Sequence, residues 1–411
     1  AYSFSSCPMK SLKIRSVLSC VITCLLYGCN GSGDVPMVSL GIDDTYRIAR
    51  MQKLKLTPAL TGKRYSWRVD GVEVSTDREY IFMARDEGVY QLSFDIIDDS
   101  TPFHHDFSVN VLREEIEYSP YISKVLEYRP APGQFVNEMP RWEEGDTYAD
   151  MLKKAEESLS GTNDVMVSLG AYGGYVTFAF DHTVVNVRGE RDIRIWGNSF
   201  YELTDHERKG GSAEPGIVMV SYDVNCNGLP DDPWYELAGS EYANPLTRHR
   251  YSITYSRPQS GKQPEPDESG YITDTTYIPW TDSDGRSGYV ARNIFHTQDY
   301  WPKWNQSEQM QFTGTCLPPN GVDRSSDGSY FILYCFDWGY ADNHPNEQRD
   351  LNTFDISWAV DAFGNRVDLP GADFIRVYTA ENQQCGWLGE TSTEICRAQD
   401  LHIYDTLPEV P

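Results

Sequence analysis

Positive charge is what this chain most lacks. Against 61 Asp and Glu it carries 35 Lys and Arg, for a formal net charge of −26. Binding nucleic acid depends on neutralising phosphates with Lys and Arg, so nucleic acid is not an expected partner. Long apolar runs are missing as well: the run from Val17 to Tyr27 falls well short of the about 20 residues that a membrane-crossing helix needs. The compact catalytic signatures are also absent, with no G-x-S-x-G, H-E-x-x-H, G-x-x-x-x-G-K-[ST], C-x-x-C or G-x-G-x-x-G. The histidines number 8 and are scattered apart from His104-His105. Carboxylates are plentiful, but a glycosidase acid/base pair is defined by its separation in space, which the sequence does not display. The chain is therefore not expected to be an enzyme.

What is present begins near the start. "MKSLKIRSVLSCVITCLLYGC", from Met9 to Cys29, sets Lys10, Lys13 and Arg15 before a short apolar stretch, the pattern of a bacterial export signal. Residues 1–8 read as upstream sequence and 1–28 as the signal peptide, with Met9 as its start. Leu26-Tyr27-Gly28-Cys29 is similar to a lipobox, which implies lipidation at Cys29 and a short tail over 29–36; an ordinary signal with an incidental cysteine is the alternative. The expected location is the outer membrane, as a cell-surface lipoprotein held by its acyl chains. Beyond Cys29 lie Cys226, Cys316, Cys335, Cys385 and Cys396. In an oxidising compartment 316/335 and 385/396 are candidate loop staples, with Cys226 as the free thiol.

Helical patterns are also scarce. Over 37–115 the chain alternates apolar and polar residues at Tyr90, Leu92, Phe94 and Ile96, turns at Asp70-Gly71 and offers Trp67 to a core. Trp67, Asp70, Gly71, Val74, Ser75 and Gly88-Val89-Tyr90 resemble the signatures of a PKD or Ig-like domain, which implies a β-sandwich. "REEIEYSP" reads as a linker. From 120 to 411 short strands alternate with turns, and one helix is predicted in "GDTYADMLKKAEESLSG", capped by Asp146 or Thr147, with Met151 and Ala155 on one face and Gly161 at its end. The expected fold is all-β: a PKD/Ig-like sandwich, then a larger β-sandwich or jelly-roll domain with one or few helices.

Two sets of residues could carry function. In "SYDVNCNGLPDDPWYELAGSEY", Asp223, Asn225 and Asn227 alternate before Gly228 and Asp231, and the Leu229 carbonyl falls between. Alternating oxygens on a tight turn suit calcium, a hard cation that takes six to eight oxygen ligands. Trp234 stands where an EF-hand has its closing Glu, so Asp232 or Glu236 would complete the shell, in a structural role. A metal-free Asx-rich turn is the alternative. "TDSDG", with Asp282 and Asp284, reads first as a turn. In "HTQDYWPKWNQSEQ" and "CFDWGYADNHPNEQ", Tyr300, Trp301, Trp304, Trp338, Tyr340, Asn343 and His344 mix aromatic faces with amide and imidazole groups, as a ligand site would.

"SKVLEYRPAPGQFVN", "GGYVTFAFDHTVVNVRGERDIRIWGNSF", "EPGIVMVSYDVNCNGLPDDPWYELAGSEY" and "FDISWAVDAFGNRVDLPGADFIRVYTAENQQCGWLGETSTEI" resemble BtuH-type vitamin B12-binding surface lipoproteins of gut Bacteroidota. The resemblance covers nearly all of 120–411 and departs at Cys226, Cys385 and Cys396. It implies capture of a cobamide and its transfer to an outer-membrane TonB-dependent transporter. A surface glycan-binding protein of a polysaccharide-utilisation system is the first alternative and a glycoside hydrolase the second.

Overall fold

The computed structural model describes residues 40–98, 102–204, 209–325 and 327–403. The export signal, Cys29 and the tail lie outside the described residues. No helix among the described residues is long and apolar enough to cross a membrane.

The amino-terminal sandwich is built on a five-stranded sheet in the order Thr45–Ala49, Phe103–Leu112, Gly88–Ile97, Arg64–Val69, Val72–Ser75. Thr45–Ala49 pairs in parallel with its neighbour, whereas the other pairs are antiparallel. A second, two-stranded layer pairs Leu54–Leu56 with Tyr80–Phe82. Alternation along Gly88–Ile97 sends Leu92, Phe94 and Ile96 inward, because successive side chains of a strand face opposite ways. Trp67 fills the centre, stacked 3.9 Å from Phe94, and its indole N–H donates to the Asp77 carbonyl at 2.9 Å. Asp70 and Gly71 both adopt positive φ, as a two-residue hairpin turn requires. His104 stands exposed between Asp95 and Asp106, while His105 turns over Phe107, so the two rings do not converge.

The larger domain centres on a six-stranded sheet in the order Ala359–Val360, Trp234–Leu237, Gly216–Ser221, Phe374–Thr379, Tyr175–Ala179, Lys124–Arg129. Both of its faces are covered. Val218, Val220, Ile375 and Val377 enter one core, shared with the helix, while Ile217 and Tyr378 enter another, shared with a four-stranded sheet of Ser287–Asn293, Ile272–Asp282, Arg248–Ser256 and Gln309–Cys316. Burial on both faces explains why Gly216–Ser221 reads as an unbroken apolar run, where a half-exposed strand would alternate.

The helix spans Tyr148–Leu159 with Thr147 as its cap: the Asp150 N–H donates to the Thr147 hydroxyl, and the Thr147 N–H donates to the Asp150 carboxylate. This reciprocal pair satisfies two otherwise orphaned donors. Met151, Ala155 and Leu159 pack inward. Gly161 follows at φ +67. The expected all-β architecture of two sandwiches with little helix is the architecture observed.

The expected staples 316/335 and 385/396 need correction, while Cys226 is free as expected. Cys226, Cys316, Cys335, Cys385 and Cys396 are all free. Cys316 is engaged instead by Arg248, whose guanidinium donates to its sulfur at 3.0 Å. Cys385 and Cys396 occupy separate buried positions, each as a small apolar side chain.

Candidate functional site

The loop Asp223–Asp231 folds as an Asx-rich turn. Asp223 accepts from the Asn227 and Gly228 N–H groups at 3.1 and 2.8 Å, Asn225 accepts from Asn227 N–H at 2.9 Å, and Asn227 accepts from Leu229 N–H at 2.7 Å. Gly228, at φ +72, and Cys226, at φ +57, turn the backbone through the left-handed region, which glycine enters freely. The Asn227 amide donates to Asp231, and Asp232 keeps one buried oxygen without a hydrogen-bond partner. The loop's oxygens are thus engaged by its own N–H groups. Its carboxylates do not gather in threes. Glu236 is a correction: it projects from Trp234–Leu237 to accept from the Thr315 hydroxyl at 2.5 Å, and burial pushes its carboxyl up to about 7.

The expected ligand loops also need correction. Tyr300, Trp301, Trp304, Tyr340, Asn343 and His344 are buried. Tyr300 donates to the His296 carbonyl, and Asn343 bonds both the Phe336 N–H and its carbonyl. His344 contacts the Tyr201 hydroxyl and the Asp337 carbonyl, and burial holds its imidazole below the ordinary value. Only Trp338 is exposed, and it leans on Trp358 at 4.7 Å. Large rings flanked by polar groups serve a core as readily as a binding site, because a buried amide or imidazole needs partners just as a ligand would.

The open cleft lies beside these loops. It holds about 420 Å³, its walls are Phe135, Phe200, Phe295, Tyr330 and Trp387, and Glu214, Glu390 and Glu394 line it with Gln134. Phe200 and Phe295, 60% and 56% exposed, share one cleft lining with Tyr330 and Trp387, and it is grouped rather than scattered apolar exposure that marks a contact surface. Phe295 meets Trp387 edge-on at 5.3 Å and stacks with Tyr271 at 6.1 Å. The wall is set by the turn Gly386–Leu388, where a side chain on Gly386 would strike Phe331 and the Gly328 carbonyl. Gln134 ties the cleft together: its side-chain amide donates to Leu388 O at 2.8 Å and accepts from Asn293, and its backbone N–H donates to Glu390 at 2.7 Å. The Trp387 N–H is held by the Ser329 carbonyl at 2.9 Å, so its ring has a fixed face.

Behind the cleft, Asp342 joins Glu214 and Glu394, their oxygens within 4.8 Å of one another, as the single such trio among the described residues. Close approach is possible because Gly197 lacks a side chain, which would collide with the Asp342 carboxylate. Burial pushes Glu390 up to about 8 and Glu394 to about 7. Burial, then the neighbouring carboxylates, raises Glu214 and Asp342 well above the usual carboxylate range. The cleft thus offers rings for an apolar face and carboxyl groups for hydroxyl or amide partners. Trp387 and Glu394 lie in a segment quoted for the family resemblance, but no local spacing marks Glu214, Asp342 and Glu394 as neighbours.

No protein-family model and no curated protein matches the chain. Among solved structures, it is similar to a quinonprotein alcohol dehydrogenase-like protein from Bacteroides thetaiotaomicron (18% identity, TM-score 0.18, 21% of this chain and 22% of that one). Others are a structure described by the promiscuous specificity of carbohydrate-binding modules of the β-sandwich superfamily (8%, TM-score 0.15, 86% and 91%) and a SusE-like protein (8%, TM-score 0.25, 82% and 88%). The chain spans 22% of the length of the first. At these TM-scores the likenesses carry no argument about function, and the class rests on the strands themselves: an all-β, two-sandwich protein with an aromatic-walled cleft.

Proposed function

We propose that this protein is a non-catalytic, cell-surface lipoprotein that captures a hydroxyl-rich ligand, a glycan, in the cleft walled by Phe200, Phe295 and Trp387. The observation behind this reading is the convergence of exposed rings with carboxyl groups in one depression of about 420 Å³. Binding sites of that size combine apolar walls with a few orienting polar groups. Sugar rings present apolar C–H faces to aromatic side chains and hydroxyls to carboxyl groups. The tilted rings and small volume suit one or two sugar units better than a whole corrin, which would stand largely outside.

The second reading, cobamide capture and transfer to an outer-membrane TonB-dependent transporter, is favoured by the resemblance of residues 120–411. Its amide arms would meet the same carboxyl groups. In both readings the lipid anchor at Cys29 is part of the proposal.

The test runs the purified protein through native gels containing polysaccharides and, separately, desalts it after mixing with cyanocobalamin. Glycan retardation that Trp387→Ala weakens at least tenfold, without cobalamin colour, is the expected result. Retained colour that Trp387→Ala abolishes would replace the first reading with the second. Turnover of a chromogenic glycoside would overturn the non-catalytic reading.

A further inference from the structure

Glu214, Asp342 and Glu394 form an unusual cluster: three carboxyl groups meet within 4.8 Å, and no basic side chain pairs with any of them among the described residues. Like charges that close cannot all stay ionised without a positive counterpart. Protons or a cation can supply it, and the surrounding donors discriminate between them. Asp342 accepts from the Asn198, Ser199 and Glu394 N–H groups at 2.7, 2.9 and 3.0 Å, through both of its oxygens. Glu394 accepts from the Ser392 hydroxyl at 2.9 Å and the Asn198 amide at 3.2 Å. Glu214 accepts from the Ser392 N–H at 3.0 Å. Every fixed bond therefore delivers a hydrogen to a carboxylate oxygen, which pulls against the larger upward push of burial and suits carboxylates that a cation keeps ionised.

A second observation is independent of that cluster. Glu390 is 3% exposed and lines the same cleft, yet its Oε2 has no hydrogen-bond partner. Its other oxygen is held by Gln134 N–H, so the free one is kept in place. Buried polar atoms are seldom left unpaired, and this oxygen lines the same cleft as Glu214 and Glu394, where a ligand would take it up.

We propose that Glu214, Asp342 and Glu394 hold a divalent cation, calcium, at the floor of the cleft, with Glu390 on the same wall. The donors are all oxygen, which excludes the soft metals that prefer thiolate or imidazole. Glu214 is the half-buried member and opens toward the cleft, so the ion's free coordination positions face whatever the cleft binds. The site does not depend on whether that ligand is a glycan or a cobamide.

Terbium luminescence on the chelator-treated full chain tests this, with tryptophan excitation and calcium or magnesium as competitor. The expected result is luminescence displaced by calcium, weakened at least tenfold in Glu214→Gln and in Glu394→Gln, and retained in Asp231→Asn. Glu214→Gln keeps the shape of the side chain, and its circular dichroism should match the parent. If it does not fold, calcium-displaceable terbium signal that persists in Asp223→Asn and in Asp231→Asn still supports the floor site. Loss of signal in Asp223→Asn and Asp231→Asn with retention in Glu214→Gln would move the ion to the Asx loop and overturn the proposal. Absence of any calcium-displaceable signal would overturn it too.

Discussion

Two acidic regions of this protein share a composition and differ in how they are made. The loop Asp223–Asp231 is continuous in sequence, lies at the surface and answers its own oxygens with its own backbone N–H groups. The cleft floor takes Glu214, Asp342 and Glu394 from three distant segments and holds them, Asp342 and Glu394 buried and Glu214 half-buried, with no basic partner among the described residues. The loop is a local solution, whose energetics are those of a turn. The floor is a tertiary one: its carboxyl groups are costly to bury, and they persist because the surrounding strands impose the arrangement. Acidic density alone therefore does not identify a site. What distinguishes the floor is that its charge has been left for something else to balance.

The largest effect that would sharpen this contrast is expected from Asp342→Ala. It strips three backbone N–H groups of their acceptor and should cost about 3 kcal/mol or more in urea unfolding, since each buried unsatisfied group costs about 1–3 kcal/mol. A loss no larger than that of a loop variant would erase the distinction.

Glu236 comes next, because sequence spacing assigns it to the loop and the structure assigns it to Thr315. Its folded value is raised to about 7 from 4.5. The fold therefore favours its protonated form, and this contribution is complete below pH 4.5 and lost as pH rises through 7. Glu236→Gln should be near neutral at pH 4 and more stable than the parent by on the order of 2 kcal/mol at pH 8.5, read from thermal unfolding at both pH values. A pH-independent difference, or a weakened calcium response, would return Glu236 to the loop.

Within the loop, Asp223→Ala removes the acceptor of two N–H bonds and should cost about 1–2 kcal/mol. Asp231→Asn keeps an acceptor for the exposed Asn227 amide and should change stability by about 0.5 kcal/mol or less. Chelation should leave this loop's contribution untouched if the ion sits at the cleft floor. A chelator-induced fall in melting temperature that Asp231→Asn abolishes would reverse the two regions' roles.

Local features were legible because their physics is local. The Asp70-Gly71 turn, the Thr147 cap and the alternation of Gly88–Ile97 each depend on residues a few positions apart, and each occurs where the pattern indicates. The Asx loop, expected first as a calcium site and alternatively as a metal-free turn, forms the hydrogen bonds of such a turn. The aromatic loops were not legible in the same way. Tyr300 and Trp301 have the composition of a ligand wall and the surroundings of a core, while Phe295, one residue before the quoted loop, is the ring left open. Burial is set by what packs from other elements, so adjacent rings of the same stretch divide between core and cleft.

By itself the sequence determined an acidic, all-β chain of two sandwiches and one capped helix, because hydrophobic period, turn chemistry and capping act over short distances; for the Asx-rich loop it left calcium and a metal-free turn both open. Only the tertiary structure decided that Glu236 belongs to Thr315, that the five described cysteines stand apart as thiols, and that Glu214, Asp342 and Glu394 meet. Those outcomes depend on strands pairing across long separations, and no local spacing encodes which distant carboxylates a shared sheet will bring together.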